Sequence, residues 1–226
     1  MARLSSLLDL DPEIEREIDP EARPLARQAL WVEVAEVPAG PFSDPSQPRA
    51  EPASLLVIDG MLKREVVVAN SRSIEPLGPG DLLRPSQEDA VSFVKGEITV
   101  VRPVTLAVID HDFLGRAGRF PAVADSLLER AMRRSRFKAV VAALHGLVGV
   151  GRRISVLFWT LAERWGEIAK GHVFLPLEFR HDELAALVAA RRQSVTAALG
   201  GLQREGAIER AEGGWILHVR PPEARP

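Results

Sequence analysis

At Asp112 the chain changes its period. Between Ser54 and Asp110 apolar residues come as short Val, Ile and Leu runs closed by turn residues, whereas beyond Asp112 they recur at spacings of three and four. Strands followed by helices make an α+β chain, and 226 residues allow one large domain or two small ones. The runs are Leu55 to Ile58, Leu62 to Val68, Ile74 to Leu77, Val91 to Phe93, Glu97 to Val101 and Thr105 to Ile109. Turn signals stand at Asp59-Gly60, Ala69-Asn70-Ser71 and Gly78-Pro79-Gly80-Asp81. Upstream, a short helical N-terminal segment leads into a strand from Leu30 to Val37, and Pro38 to Ala53, with five prolines, reads as loop. Strands this short and closely spaced predict a small antiparallel barrel or sandwich.

Pro121 to Val148 predicts one long helix, with an apolar stripe at Ala124, Leu128, Ala131, Phe137, Val141, Leu144 and Val148. A narrow seam on so long a helix fits a dimerisation helix; a helix lying on its own barrel is the alternative. Gly146, Gly149 and Gly151 then break the pattern as a hinge or boundary. A helix from Arg152 to Trp165 follows, burying Ile154, Leu157, Phe158, Leu161 and Trp165. Next come a hairpin around Lys170-Gly171 and two short helices, His181 to Val188 and Arg192 to Arg204, separated by Ala189, Ala190 and Arg191. A last hairpin spans Ala207 to Val219, turning at Glu212-Gly213-Gly214. Helix, hairpin, helix, tight turn, helix, hairpin is the order of a winged helix-turn-helix.

In such a unit the second helix of the pair enters the major groove, apolar side inward and polar N-terminal residues toward the bases. Val195, Leu199 and Leu202 form the inner side, while Arg192, Gln193, Ser194 and Thr196 project outward and Arg191 and Arg192 meet phosphate. Arg pairs with guanine and Gln with adenine in bidentate fashion, at about 1 to 3 kcal/mol of discrimination each. The bland reading of the same residues is a solvated helix start. Charge leans the same way: from Gly149 onward there are 11 basic and 9 acidic residues, so the net −2 of the whole divides into +2 there and −4 before it.

These residues carry a resemblance to the cyclic AMP receptor and FNR (Crp-Fnr) family of bacterial transcription regulators. Arg152-Arg153-Ile154, Leu175-Pro176-Leu177, Asp182-Glu183-Leu184-Ala185 and Arg192-Gln193-Ser194-Val195-Thr196 are similar to the family's C-terminal domain. Val57-Ile58-Asp59-Gly60 and Gly78-Pro79-Gly80-Asp81 resemble the two glycine turns of its β-roll, and the helix after Pro121 matches its dimerisation helix in place and length. The resemblance covers roughly residues 25 to 220 and implies an antiparallel, cyclic-nucleotide-binding-like β-roll over 1–120, a dimerisation helix over 121–148 and a winged helix-turn-helix over 149–226. It also implies a homodimer on double-stranded DNA with a pseudo-palindromic operator, contact with RNA polymerase, and a small-molecule effector that it does not identify. DNA-binding residues are expected at Arg191, Arg192, Gln193, Ser194 and Thr196.

The chain also departs from the family. Members that bind cyclic nucleotides carry Gly-Glu and Arg-Ser or Arg-Thr after the Gly-Asp turn; here Gly80-Asp81 is followed by Leu82-Leu83-Arg84-Pro85-Ser86. Without those donors for an anion, cyclic AMP and cyclic GMP are expected to bind weakly or not at all; Arg84 and Arg102 read as surface arginines. The recognition helix lacks the acidic reader and the second Arg of the cyclic AMP-responsive members, and Arg191 replaces the usual hydroxyl N-cap.

The remaining patterns exclude other classes. Zero Cys removes disulfides, zinc-thiolate sites and Cys nucleophiles. His111, His145, His172, His181 and His218 show no His-x-His or His-Glu-x-x-His spacing, so no metal, no cofactor and no enzymatic activity are expected. Asp110-His111-Asp112 reads as a helix cap, His145 as a haem ligand only if it had a partner, and Gly146-x-x-Gly149-x-Gly151 follows no strand and is not a nucleotide loop. No apolar run reaches the roughly 18 to 20 residues of a spanning helix, and the acidic N-terminus is unlike a signal peptide; a cytoplasmic protein is expected, with no membrane partner. The competing function is an effector-free interaction module that uses the winged helix for protein contact.

Overall fold

The computed structural model describes residues 3–47, 54–69, 71–84, 94–169 and 171–218. The chain divides into two compact units, Met1–Arg134 and Ser135–Pro226.

The first unit begins with β1 (Arg3–Ser6), α1 (Leu7–Leu10), α2 (Pro12–Glu17) and α3 (Arg23–Ala29), then β2 (Trp31–Val37), β3 (Gly40–Pro41), β4 (Ser54–Val68), β5 (Ser71–Leu77), β6 (Leu82–Leu83) and β7 (Val94–Ile109). Helix α4 (His111–Ala117) follows, and the division between the units falls within α5 (Pro121–Leu144). The sheet runs β1-β2-β7-β4-β5, with β3 on β7 and β6 on β4, and its pairings are antiparallel. It is the expected antiparallel roll, within an α+β chain.

Several expectations change here, beginning with the loop expected over Pro38 to Ala53, in which Gly40–Pro41 is a short strand on β7. The runs on either side of Asp59-Gly60 are one strand, β4, and those on either side of Pro103 are one strand, β7. Asp59-Gly60 is a bulge, not a turn: the β4–β7 register shifts between Val57 and Leu62, and Gly60 has φ +86°. A Cβ at Gly60 would lie 2.1 Å from the Pro103 carbonyl oxygen, so both strands bend together only because this residue has no side chain. The N-terminal segment contributes an edge strand, β1, as well as helices. The expected run at Val91 to Phe93 lies outside the described residues.

Both faces of the sheet are buried at its centre, which explains the unbroken apolar run Leu55-Leu56-Val57. Leu55, Val57, Leu77, Val104, Leu106 and Val108 fill the interior of the roll. Leu56, Ala107 and Ile109 point the other way, into a core shared with Leu7, Leu8 and Ile14 and with Phe113, Val123 and Leu127. In its first half helix α5 buries Val123, Leu127 and Arg130 in place of the expected Ala124, Leu128 and Ala131, which face solvent; in its second half Phe137 and Leu144 of the expected stripe are buried and Val141 is half-buried. Its last turn is Leu144, with Gly146 and Val148 beyond the helix. Among the described residues no helix is long and apolar enough to cross a membrane.

Arg130 is 3% exposed and its Nη2 donates to Asp11 and Glu13 at 3.0 Å each. One turn later the Arg134 fork pairs with Glu75 at 2.7 and 2.9 Å and donates to the Leu82 carbonyl. Burial by itself disfavours the Arg134 charge, but the Glu75 hydrogen bond and the charges of Glu75 and Asp81 outweigh it and raise its pKa above the ordinary arginine value. The Gly78-Pro79-Gly80-Asp81 turn is a closed unit, with the buried Asp81 carboxylate accepting the Gly78 N–H at 3.0 Å and Gly80 at φ +86°.

In the second unit, α6 (Val150–Trp165) is followed by β8 (Glu167–Ala169), β9 (His172–Leu175), α7 (His181–Leu187), α8 (Arg192–Arg204), β10 (Ile208–Ala211) and β11 (Gly214–Leu217). The strands form an antiparallel sheet of order β10-β11-β9-β8. This matches the expected order of elements, with α6 starting two residues early; Lys170 and Val219 lie outside the described residues.

Candidate nucleic-acid interface

The interface is built on α6, whose Ile154, Leu157, Phe158, Leu161 and Trp165 are buried. Phe158 meets Trp215 of β11 at 5.4 Å between ring centroids, which seats the sheet against the helix. From α7, Leu184, Ala185 and Leu187 join this core, and from α8, Val195 and Leu199. Leu202 is half-buried, so the expected inner side of α8 is present.

The turn between α7 and α8 has a definite chemistry. Ala189 takes φ +46°, the Val188 N–H donates to Leu184 O, and the Ala190 N–H donates to Ala185 O at 3.0 Å. The last helical bond is followed by the 6→1 bond and the left-handed residue of a Schellman-type ending. The carbonyls left over at the end of α7 are taken by side chains from outside it. Arg153 donates to Val188 O at 3.0 Å, to Ala189 O at 3.1 Å and to Leu147 O at 2.8 Å. His145 Nε2 lies 3.3 Å from Leu187 O and so adds a further side chain at the end of α7. The Arg152-Arg153-Ile154 motif thus has a mechanism: its middle residue fastens the turn that aims the recognition helix.

That helix presents Arg191, Arg192, Gln193, Ser194 and Thr196 to solvent and tucks Val195 inward. Arg191 is the N-cap, in extended backbone (φ −80°, ψ 146°), and no side chain caps the helix. Unsatisfied N–H groups at a helix start, with the positive end of its dipole and two arginines beside them, suit a phosphate. Arg192, Gln193 and Ser194 are free to meet a partner. Thr196 is differently placed: its hydroxyl donates to Arg192 O at 3.1 Å, so it accepts from His181 Nδ1 at 2.8 Å.

This last bond brings in residues that the sequence reading missed. Arg180, His181 and Asp182, at the start of α7, line an open cleft of about 480 Å³ together with Arg192. On the hairpin, Arg210 lies over the Trp215 ring at 4.9 Å and pairs with Glu178 at 2.9 Å. A signal for Arg180 and His181 existed in their position just ahead of the first helix of the pair, close to where the second begins. Arg84 and Arg102 are both exposed and, among the described residues, belong to no such cluster. Asp110 is a helix cap, accepting the Phe113 N–H at 2.8 Å.

Three helices, the last two joined by a tight turn, and a hairpin from a small sheet make a winged helix-turn-helix, the class of module with which regulators read DNA. Residues 152–224 match the family described as Crp-like helix-turn-helix domain. The whole architecture is similar to FixK2 from Bradyrhizobium japonicum, at 14% identity over 84% of this chain and 93% of that one, with a TM-score of 0.61. It is also similar to a cyclic nucleotide-binding domain containing protein from Listeria monocytogenes (16% identity, 83% and 89% covered, TM-score 0.62). A transcriptional regulator of the CRP/FNR family from Thermus thermophilus matches at 23% identity over 82% and 93%, with a TM-score of 0.53. No curated protein matches the chain. Residues 152–224 are thus a Crp-like helix-turn-helix domain, and the chain as a whole shares the fold of these proteins.

Proposed function

We propose that the chain acts in the cytoplasm as a homodimer reading a pseudo-palindromic operator, with residues 1–120 as a sensor-like β-roll, 121–148 as the dimerisation helix and 149–226 as the DNA-binding domain. The observation that carries this is the outward row at the start of α8: Arg191, Arg192, Gln193 and Ser194 are exposed, while Val195 and Leu199 hold the helix in the core. Arg191 and the open helix start take phosphate; Arg192 and Gln193 read base edges. Twofold symmetry sets the two recognition helices about 34 Å apart, one turn of B-DNA. Dimerisation uses the side of α5 turned away from the roll, where Leu128 is 59% and Met132 48% exposed beside Ala124 and Ala131. A signal received by the roll reaches the recognition helices through α5 and the glycine hinge, where Gly149 has φ +90°, and changes their presentation to DNA and RNA polymerase.

The effector is a molecule other than a cyclic nucleotide. Arg130 and Arg134, which α5 turns toward the roll, are engaged by Asp11, Glu13 and Glu75, leaving no preorganised cation for a cyclic phosphate from that helix. The experiment is selection from a random duplex library, then anisotropy of the winning sequence across salt. A palindromic winner is expected, with Arg192→Ala lowering affinity by about 1 to 3 kcal/mol and relaxing base preference at its position, and Arg191→Ala reducing the salt slope by about 1. No enrichment, with or without cell extract, would sink the reading and turn the search to protein partners. Leu128→Glu is expected to give monomers in sedimentation and to weaken operator binding at least about tenfold.

A further inference from the structure

We propose that one face of the C-terminal sheet is a binding site for a borderline divalent transition cation such as Zn2+, with His172 and His218 as its ligands and Glu209 as the carboxylate that closes it. The sheet brings these residues together from separate strands. Glu209 pairs with Ile216, Ile216 with Phe174, and Phe174 with Glu167, which fixes the row across β10, β11, β9 and β8. Alternation then puts His218 and His172 on that same face, two residues from Ile216 and Phe174. The face therefore carries, in order, Glu209 of β10, His218 just after β11, His172 of β9 and Glu167 of β8.

The Glu209–His218 contact is itself a hydrogen bond, and the spacings approach those of a metal shell without meeting them. His218 Nε2 and a Glu209 carboxylate oxygen are 3.3 Å apart, and the two imidazole centroids are 5.9 Å apart with their planes at 57°. In a tetrahedral shell with ligand atoms about 2.0 to 2.1 Å from the metal, neighbouring ligand atoms lie about 3.3 Å apart and imidazole centroids about 5.2 Å. One edge of the shell is already present, and the rings need to close by roughly 0.7 Å. Among the described residues no three such side chains already converge in ligating positions. The movement needed is that of exposed side chains: His218 is 39% and Glu209 65% exposed. Rotamer changes of that kind are available on a surface strand. Two imidazoles and a carboxylate favour Zn2+, Ni2+ or Cu2+ over Mg2+ or Ca2+, and Glu209 and Glu167 flanking the pair add attraction for a cation. Ligands drawn from three strands leave no His-x-His spacing to be seen in the sequence.

The test is titration of the full-length chain with Zn2+ alone against a chromogenic zinc indicator, with thermal unfolding in parallel. One equivalent per protomer is expected, with Mg2+ unable to compete and the melting temperature rising with Zn2+. His172→Ala and His218→Ala are each expected to weaken the binding at least about tenfold, and Glu209→Gln less than either. Absence of saturable binding, or a His172→Ala/His218→Ala double variant that binds Zn2+ within about twofold of the parent, would overturn the site. His218 and Glu209 are exposed and His172 is half-buried, so circular dichroism of each variant against the parent checks that the fold is kept.

Discussion

The two units use arginine in opposite ways. In the first, Arg130 and Arg134 point inward and are held by carboxylates, on Asp11 and Glu13 of the N-terminal segment and on Glu75 of β5. In the second, Arg153 is fastened to backbone carbonyls, while Arg191 and Arg192 are left in solvent. The same side chain is thus a tie in one place and a free cation in another. What separates the roles is the partner within reach: a buried guanidinium without a carboxylate or a set of carbonyls is too costly to keep, so any inward arginine implies an answering group.

Breaking the inward set should have the largest effect. Arg130→Met removes a guanidinium that is 3% exposed and leaves the Asp11 carboxylate, 11% exposed, without it. A loss of about 3 kcal/mol is expected in chemical denaturation of the first unit. Adding Asp11→Asn should return part of that loss; if the double variant is no better than the single, the pair is not what the burial costs. Arg153→Leu comes next. It orphans carbonyls at Leu147, Val188 and Ala189, and is expected to cost about 2 kcal/mol in the second unit and to abolish tight operator binding together with it. Arg192→Ala, by contrast, should leave the melting temperature unchanged while weakening DNA binding, and a matching fall in stability would erase the distinction between tie and reader. The smallest effect sharpens the comparison from the backbone side. Ala189 occupies a left-handed conformation, so Ala189→Gly should stabilise the second unit by about 0.5 to 1 kcal/mol, measured as a small rise in its thermal midpoint.

The same contrast explains which parts of the molecule were legible in the sequence. The bounds of α8, its inner residues and the order of elements around it followed from helical spacing and from turn residues, because that unit is small and its helices each have one apolar side. The role of Arg153 was hidden, since a basic residue on a helix reads as solvated until the carbonyls opposite it are known. In the roll, Asp59-Gly60 carries a hairpin signal, yet the partner strand bends at Pro103 beside it and turns the signal into a bulge. Over the first half of α5 the expected inner side was wrong, because Ala124, Leu128 and Ala131 look more like core than Val123, Leu127 and Arg130 do, whereas Phe137 and Leu144 are buried as expected. An arginine in the buried row breaks an apolar stripe, and only Asp11 and Glu13, over a hundred residues upstream, make it tolerable.

The division of labour along α8 has a consequence for how such a protein can change. Its grip on the fold comes from Val195 and Leu199 and from a turn held by main-chain bonds and Arg153, none of which involves the side chains of Arg192, Gln193 or Ser194. Those three positions can therefore be exchanged almost freely without unfolding the domain. On the proposed function, a few surface substitutions would move such a protein from one set of promoters to another, and a laboratory can randomise the three together and expect most members of the library to be folded.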